Sequence, residues 1–176
     1  MAVSEAAVDE RELRDMVDEV QIRRLHAKYV DAVNRAAWSE FTGFFVPDAR
    51  LVVSRGSGTP DEVIGPEAIG ALIAGYIDKY DFLLQVVLNA RIVLRVGDDV
   101  DRAAARLYIA EFRQFSDTGR VIESAGTYHD QYVRRDGSWR FERRRYDRMF
   151  ATSPAELEVH PFPTDLGDLD PFTNHR

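Results

Sequence analysis

Over about residues 9–35 apolar side chains recur at mixed threes and fours, at Leu13, Val17, Val20, Leu25, Tyr29, Val30 and Val33, with no proline or glycine between them. That spacing predicts one long amphipathic helix. Trp38, Phe41, Phe44 and Phe45 follow as a short aromatic helix ended by Pro47, because proline pushes the residue before it out of the α region. These aromatics read as core. Residues 51–53 suggest a short strand and residues 54–61 a polar, glycine-containing loop. Gly65-Pro66-Glu67 starts a second helix. Pro66 falls in the first turn, where its missing N–H is harmless, and Ile69, Leu72, Ile73, Tyr76 and Ile77 form the buried stripe. From Phe82 onward the period changes to 2, and four strands are expected over about 83–95, 102–115, 121–134 and 138–149. Turn chemistry joins them at Gly97-Asp98, Asp117-Thr118-Gly119 and Asp136-Gly137.

The clearest of these turns lies in GTYHDQYVRRDGSWRF, residues 126–141. An Asp-Gly pair between residues of high β propensity predicts a tight antiparallel hairpin, since a type I′ turn needs positive φ at both central positions. Alternation then puts Gly126, Tyr128, Asp130 and Tyr132 on one face and Thr127, His129, Gln131 and Val133 on the other. Helices first and a meander afterwards describe an α+β domain, with helices covering one face of a curved antiparallel sheet. Residues 1–8 read as a loose leader and 9–150 as a single domain. Residues 151–176, which carry four prolines and no periodicity, read as an irregular tail laid over the body or swapped onto a partner.

Composition narrows the classes. A chain of 176 residues, 45% hydrophobic, is long enough for one buried core. The net charge of −7 gives no global field to draw in nucleic acid or an anionic membrane. With no cysteine there is no disulfide and no thiol nucleophile. The four histidines, His26, His129, His160 and His175, have no metal-ligand spacing. No phosphate loop, nucleophile elbow or long apolar run occurs. A cytoplasmic protein with no cofactor, no metal, no nucleic-acid partner and no membrane partner is the expectation.

Several strings, taken in order, resemble the nuclear transport factor 2-like superfamily and its SnoaL-like branch: YVDAVNRAAWSEFTGFF at 29–45 with Pro47-Asp48-Ala49, Gly65-Pro66-Glu67-Ala68-Ile69, Val87-Leu88-Asn89, and the 126–141 hairpin with Arg143 to Arg145. The resemblance spans about residues 15–148. It implies a cone-shaped, cystatin-like α+β roll, with an apolar pocket at its open end and often dimerisation through the sheet's outer face. The fold alone does not choose a function, because it hosts dehydratases, isomerases, polyketide cyclases, dehydrochlorinases, oxygenase small subunits and binding domains. In members resembling scytalone dehydratase and hexachlorocyclohexane dehydrochlorinase, an Asp and a His form the acid–base pair. Counting from Trp38 and Asn89, this chain has Asn34 and Gln85 at those positions. A carboxamide takes no proton near neutral pH, so the pair is not inherited.

Four ionisable residues remain as catalytic candidates. Asp130 ranks first, as a strand carboxylate on the face of two tyrosines; the SnoaL-like cyclases similarly use an interior strand carboxylate. Glu111 follows, sharing a strand face with Arg113 and falling within about one residue of a second histidine of the scytalone dehydratase group, as the resemblance implies. Asp31, one helical turn before Asn34, and His129, which titrates near neutrality, complete the set. Each has a structural alternative: a cross-strand ion pair for Glu111, a solvated helix position for Asp31 and a structural strand residue for His129. Asn34, Gln85, Tyr29, Tyr128, Trp38 and Arg144 are the expected substrate-binding residues, Arg144 because the resemblance implies a ligand-facing position. The leading expectation is a lyase, isomerase or cyclase acting on a small hydrophobic carbonyl- or hydroxyl-bearing molecule, as a homodimer. A non-catalytic binding domain and an oxygenase small subunit are the alternatives.

Overall fold

The computed structural model describes residues 9–56, 58–152, 157–159 and 165–169; the expected leader and parts of the tail lie outside them. Helix α1 (Glu10–Asn34) starts at Asp9, whose side chain accepts the Arg11 N–H at 3.2 Å, an N-cap that satisfies one of the helix's first free donors. At its other end Ala36 takes a left-handed φ of 56° and the Ala37 N–H reaches back to the Ala32 carbonyl at 2.8 Å. An alanine thus does what glycine more often does at a helix end. Only the second half of the apolar stripe is interior. Ile22, Leu25, Tyr29, Ala32 and Val33 are buried, whereas Leu13, Val17 and Val20 face outward.

The aromatic stretch forms a 3-10 turn, Trp38–Gly43, rather than an α-helix, and Phe45 already belongs to the next strand. Strand β1 (Phe45–Ser54) is therefore much longer than residues 51–53. Pro47 is tolerated there because the pairing of β1 is irregular between Phe45 and Arg50, so no ladder donor is required of it. After the expected loop comes a short strand not foreseen from the sequence, β2 (Asp61–Ile64), paired antiparallel with β1. Helix α2 (Pro66–Ile77) follows Gly65, whose φ of 90° suits glycine.

Strands β3 (Tyr80–Leu94), β4 (Arg102–Phe115), β5 (Val121–Arg135) and β6 (Ser138–Thr152) form the expected antiparallel meander. Asp136 and Gly137 have φ of 51° and 74°, the double positive of a type I′ turn. The sheet runs β2-β1-β6-β5-β4-β3, with β7 (Leu157–Val159) added on β6. One pairing departs from an all-antiparallel sheet, because β1 lies parallel to β6. The two are separated by the whole meander, and a parallel pair needs such a long connection.

α1, the 3-10 turn and α2 cover the inner face, where Tyr29, Phe41, Phe45, Leu51, Ile69, Leu107, Ile109, Tyr132 and Phe141 make the core. Trp139 is buried beside it, and its indole N–H donates to Asp18 of α1 at 3.1 Å. On the outer face, the Arg143 guanidinium binds Asp168 at 2.8 Å and that of Arg145 binds Asp165 at 2.9 Å. Residues 165–169 lie there with Leu166 and Leu169 buried. Among the described residues no helix is long and apolar enough to cross a membrane.

His26 of α1 is buried, and its Nε2 meets the Tyr132 hydroxyl at 2.5 Å. Burial above all, then the positive charges of Arg144 and Arg23, hold its pKa well below the ordinary 6.5. In the unfolded chain the same histidine takes up a proton below that value, so the unfolded state binds more protons and stability rises with pH. Stability should therefore fall as pH drops below about 6.5, by up to about 1.4 kcal/mol per pH unit from this group. Denaturant titrations at pH 7.5, 6.5 and 5.5 on the wild type and His26→Gln check this. An identical pH slope in both proteins would remove the histidine from the account.

Candidate active site

The site rests on a buried floor. Asp130 of β5 and Arg144 of β6 are register partners, and two hydrogen bonds of 2.8 Å, from Nε and from one terminal nitrogen of the guanidinium, join them. Neither is measurably open to water, at 0% and 1% exposure. The Tyr132 hydroxyl donates to the second Asp130 oxygen at 2.8 Å. That leaves its oxygen to accept from His26, which fixes the neutral histidine with its proton on Nε2. The guanidinium carbon lies 4.0, 4.0 and 4.2 Å from the ring centres of Tyr29, Tyr128 and Phe141, so aromatic faces complete the cation's surroundings. Burial alone would lower the Arg144 pKa, but the Asp130 charge and hydrogen bonds outweigh it and raise it.

Arg144 turns inward because of an irregularity. The β5–β6 register shifts between Gln131 and Tyr132, so Phe141 and Arg144, three positions apart, both point inside. Strict alternation from Trp139 and Phe141 would have put Arg143 there.

Above this floor opens a cavity of about 190 Å³, with Val33, Leu51, Val53, Ile73, Ile77 and Leu83 as its apolar lining. Its polar centre is Glu111. In the β3–β4–β5 ladder Gln85 pairs with Glu111 and Glu111 with Ser124, which puts the three side chains in one row across the sheet. The Gln85 amide donates to one Glu111 oxygen at 3.1 Å; the Ser124 and Tyr146 hydroxyls donate to the other at 3.1 and 3.2 Å. Gln85 Nε2 also reaches the Tyr128 hydroxyl at 3.2 Å, and Arg113 donates to Ser124 Oγ at 2.6 Å. Gln85 Oε1 is buried and has no hydrogen-bond partner among the described residues.

Tyr128 and Tyr146 lie beside this carboxylate, and Tyr29 lines the cavity next to Tyr128. Burial is the largest influence on Tyr29, Tyr128 and Tyr146, and it raises all three pKa values; the Glu111 charge adds to it at Tyr146. The hydroxyls therefore stay protonated and able to donate. Tyr146 owes its position to Gly126. A Cβ there would overlap the Tyr146 ring and lie 2.8 Å from the Asp147 carbonyl oxygen, so only glycine lets the ring lie flat over β5.

The sequence candidates divide clearly. Glu111, Gln85, Tyr29 and Tyr128 line the cavity. Asp130, ranked first from sequence, does not: its oxygens are taken up by Arg144 and Tyr132 beneath the floor, so it supports the site from below. Arg144 likewise is a supporting residue rather than a ligand contact. Asp31 faces solvent and pairs with Arg35 at 2.8 Å. His129 is buried on the opposite face, 3.9 Å from Asp147. Asn34 is engaged twice by the backbone of Gln85, donating to its carbonyl at 3.0 Å and accepting its N–H at 2.8 Å. Trp38 packs on Phe41 at a ring distance of 5.5 Å, outside the cavity. Sequence reasoning missed Tyr146 and Ser124. Both had a signal, since Tyr146 is two positions from Arg144 on one strand face and Ser124 lies across the Asp117-Thr118-Gly119 turn from Glu111. Among the described residues no cluster of three His, Asp or Glu side chains is placed to hold a metal ion.

A curved sheet backed by N-terminal helices around an internal cavity is the architecture expected of the nuclear transport factor 2-like superfamily. The SnoaL-like domain family matches residues 14–145, and the chain belongs to that family. No curated protein matches the chain. Among solved structures, hexachlorocyclohexane dehydrochlorinase LinA-type3 from Novosphingobium barchaimii LL02 has a TM-score of 0.71 at 19% identity, over 86% of this chain and 99% of its own. A Novosphingobium aromaticivorans protein provisionally named a scytalone dehydratase gives 0.69 and 19%, over 85% and 95%. A cystatin-like-fold protein from Caulobacter vibrioides gives 0.59 and 19%, over 78% and 91%. At these identities the likeness is one of fold.

Removing one partner of a buried pair leaves the other charge uncompensated, so Asp130→Asn should destabilise the protein by roughly 3–5 kcal/mol. Denaturant unfolding measures the loss. A stable Asp130→Asn protein would contradict the structural role assigned to the pair.

Proposed function

We propose that the protein is a cofactor-independent lyase- or isomerase-type enzyme, cyclisation included, acting by acid–base chemistry on a small hydrophobic molecule with a carbonyl or hydroxyl group. The observation that carries this reading is the Glu111 carboxylate, held by three donors, in a cavity lined by both apolar and polar side chains and beside neutral phenols. The carboxylate would remove a proton next to the substrate carbonyl while Tyr29 and Tyr128 donate hydrogen bonds toward the oxygen on which negative charge develops. The proton then returns from Glu111 to a departing hydroxyl, which leaves as water, or to another carbon. Either route balances without a further reactant. Gln85, whose amide nitrogen donates to Glu111, helps to hold the carboxylate in place.

Proton abstraction can be read before the natural substrate is known, by following solvent deuterium into small cyclic ketones and hydroxyketones by NMR. Glu111→Gln keeps the shape and should slow exchange by on the order of 10²-fold or more, with the fold intact. Because burial raises the phenols above their ordinary 10, no loss from tyrosine ionisation is expected up to about pH 10. Equal exchange in wild type and variant sinks the base assignment. The engagement of Asn34 by backbone, in place of an ionisable partner, favours a second reading, a binding domain without catalysis. That reading wins if no ketone exchanges while one binds tightly.

We also propose a homodimer. The outer face of β3 and β4 exposes Phe82, Leu84, Val86 and Phe112 at 36–50%, a contiguous apolar surface of the kind that partners cover. Leu107 and Ile109, on the other parity, are buried in the core. Light scattering should give twice the chain mass of 20.1 kDa; monomer mass at all concentrations contradicts it.

A further inference from the structure

The charge of the cavity runs against the charge of the protein. The chain carries −7, yet among the described residues Arg55, Lys79 and Arg113 line the cavity beside one carboxylate, Glu111. Asp61 answers Arg55 at 2.7 Å. Among the described residues no carboxylate oxygen lies within 4.0 Å of the Lys79 ammonium or the Arg113 guanidinium. These two instead gather over the Tyr80 ring, at 5.4 and 5.5 Å from its centre, with Phe115 packed 4.9 Å from Tyr80. Arg113 and Arg148 both act on the Tyr146 hydroxyl, which places them on the Glu111 side of the cavity. A concave site with low-dielectric walls concentrates such a field, so the lining attracts anions although the chain as a whole repels them.

We propose that the ligand is a small hydroxy- or oxo-substituted carboxylate about one ring in size. Its carboxylate sits toward Arg113 and Lys79, and its ring lies among Val33, Leu51, Val53, Ile73 and Leu83. The size follows from the volume: about 190 Å³ exceeds by little the roughly 150 Å³ that houses a benzene ring. The hydroxy or oxo group follows from the proton abstraction proposed for Glu111, which needs an enolisable centre in the molecule. A carboxylate placed there lies apart from Glu111, which needs the neutral, enolisable part of the molecule. This deepens the reading above and rests on it for where the ligand binds and for its hydroxy or oxo group, not for its carboxylate.

Calorimetric titration of the full chain with 4-hydroxybenzoate and its neutral isostere 4-hydroxybenzamide tests it. The acid should bind at least about tenfold tighter at low ionic strength, and the preference should shrink as salt rises toward 0.5 M. In an Arg113→Gln, Lys79→Gln double variant the preference should fall to about twofold or less while the amide binds as before. If that protein does not fold, the exposed Lys79→Gln alone should still lower the preference measurably. Equal binding of acid and amide, an unchanged preference in the variants, or no binding of either probe overturns the proposal. Glu111→Gln separates the two readings. It should keep or strengthen binding of the acid, so lost anion preference with intact deuterium exchange condemns only the ligand class, and the converse condemns only the catalysis.

Discussion

The Asp130–Arg144 pair is the constraint on which the rest of the fold is arranged. A guanidinium and a carboxylate withdrawn from water cost several kcal/mol each to desolvate, and good geometry offsets much of that cost here, although Arg144 Nη1 has no hydrogen-bond partner among the described residues. Here the engagement reaches across three elements. Arg144 is supplied by β6, Asp130 and Tyr132 by β5, and His26 by α1, with Tyr29 of α1 and Tyr128 of β5 stacked on the guanidinium. A slip of any strand by one residue would send a charge to the wrong face. The pair therefore fixes the register of the hairpin and the seat of the helix together.

That rigidity matters one layer up. Tyr29 and Tyr128 have two uses: their rings stack on Arg144, and both residues line the cavity above it. The same residues that make the buried cation tolerable thus become oriented donors, because a ring clamped on a guanidinium has little freedom left at its hydroxyl. Tyr146 is held differently, by the absent side chain at Gly126 on one side and by Glu111 on the other. Preorganised donors of this kind need no rearrangement when charge develops beside them.

Much of the fold was legible because it depends on periodicity and turn chemistry. The switch from period 3.6 to 2 near Phe82 and the Asp136-Gly137 turn located the meander to within a few residues. The parallel β1–β6 pairing was not legible, since nothing local encodes which distant strand closes the sheet. The face of Asp130 was read correctly, yet its role was not. Alternation tells which residues share a face but not which lie under the floor and which above it. Its answering charge on β6 was hidden by a register shift that period-2 counting cannot see.

The amides at positions 34 and 85 show how the site has been redistributed. The family resemblance implied a His and an Asp there; in this chain Asn34 closes two hydrogen bonds onto the Gln85 backbone and so fastens the end of α1 to β3. Freed from that partnership, the Gln85 side chain turns to Glu111 and Tyr128. A carboxamide is suited to this position because its nitrogen can donate to the Glu111 carboxylate whatever the pH, which a histidine would do only in one tautomer. The ionisable pair implied for the α1–β3 side is absent, and the carboxylate of this cavity stands instead on β4, with the amides at positions 34 and 85 tying α1, β3 and β4 together around it.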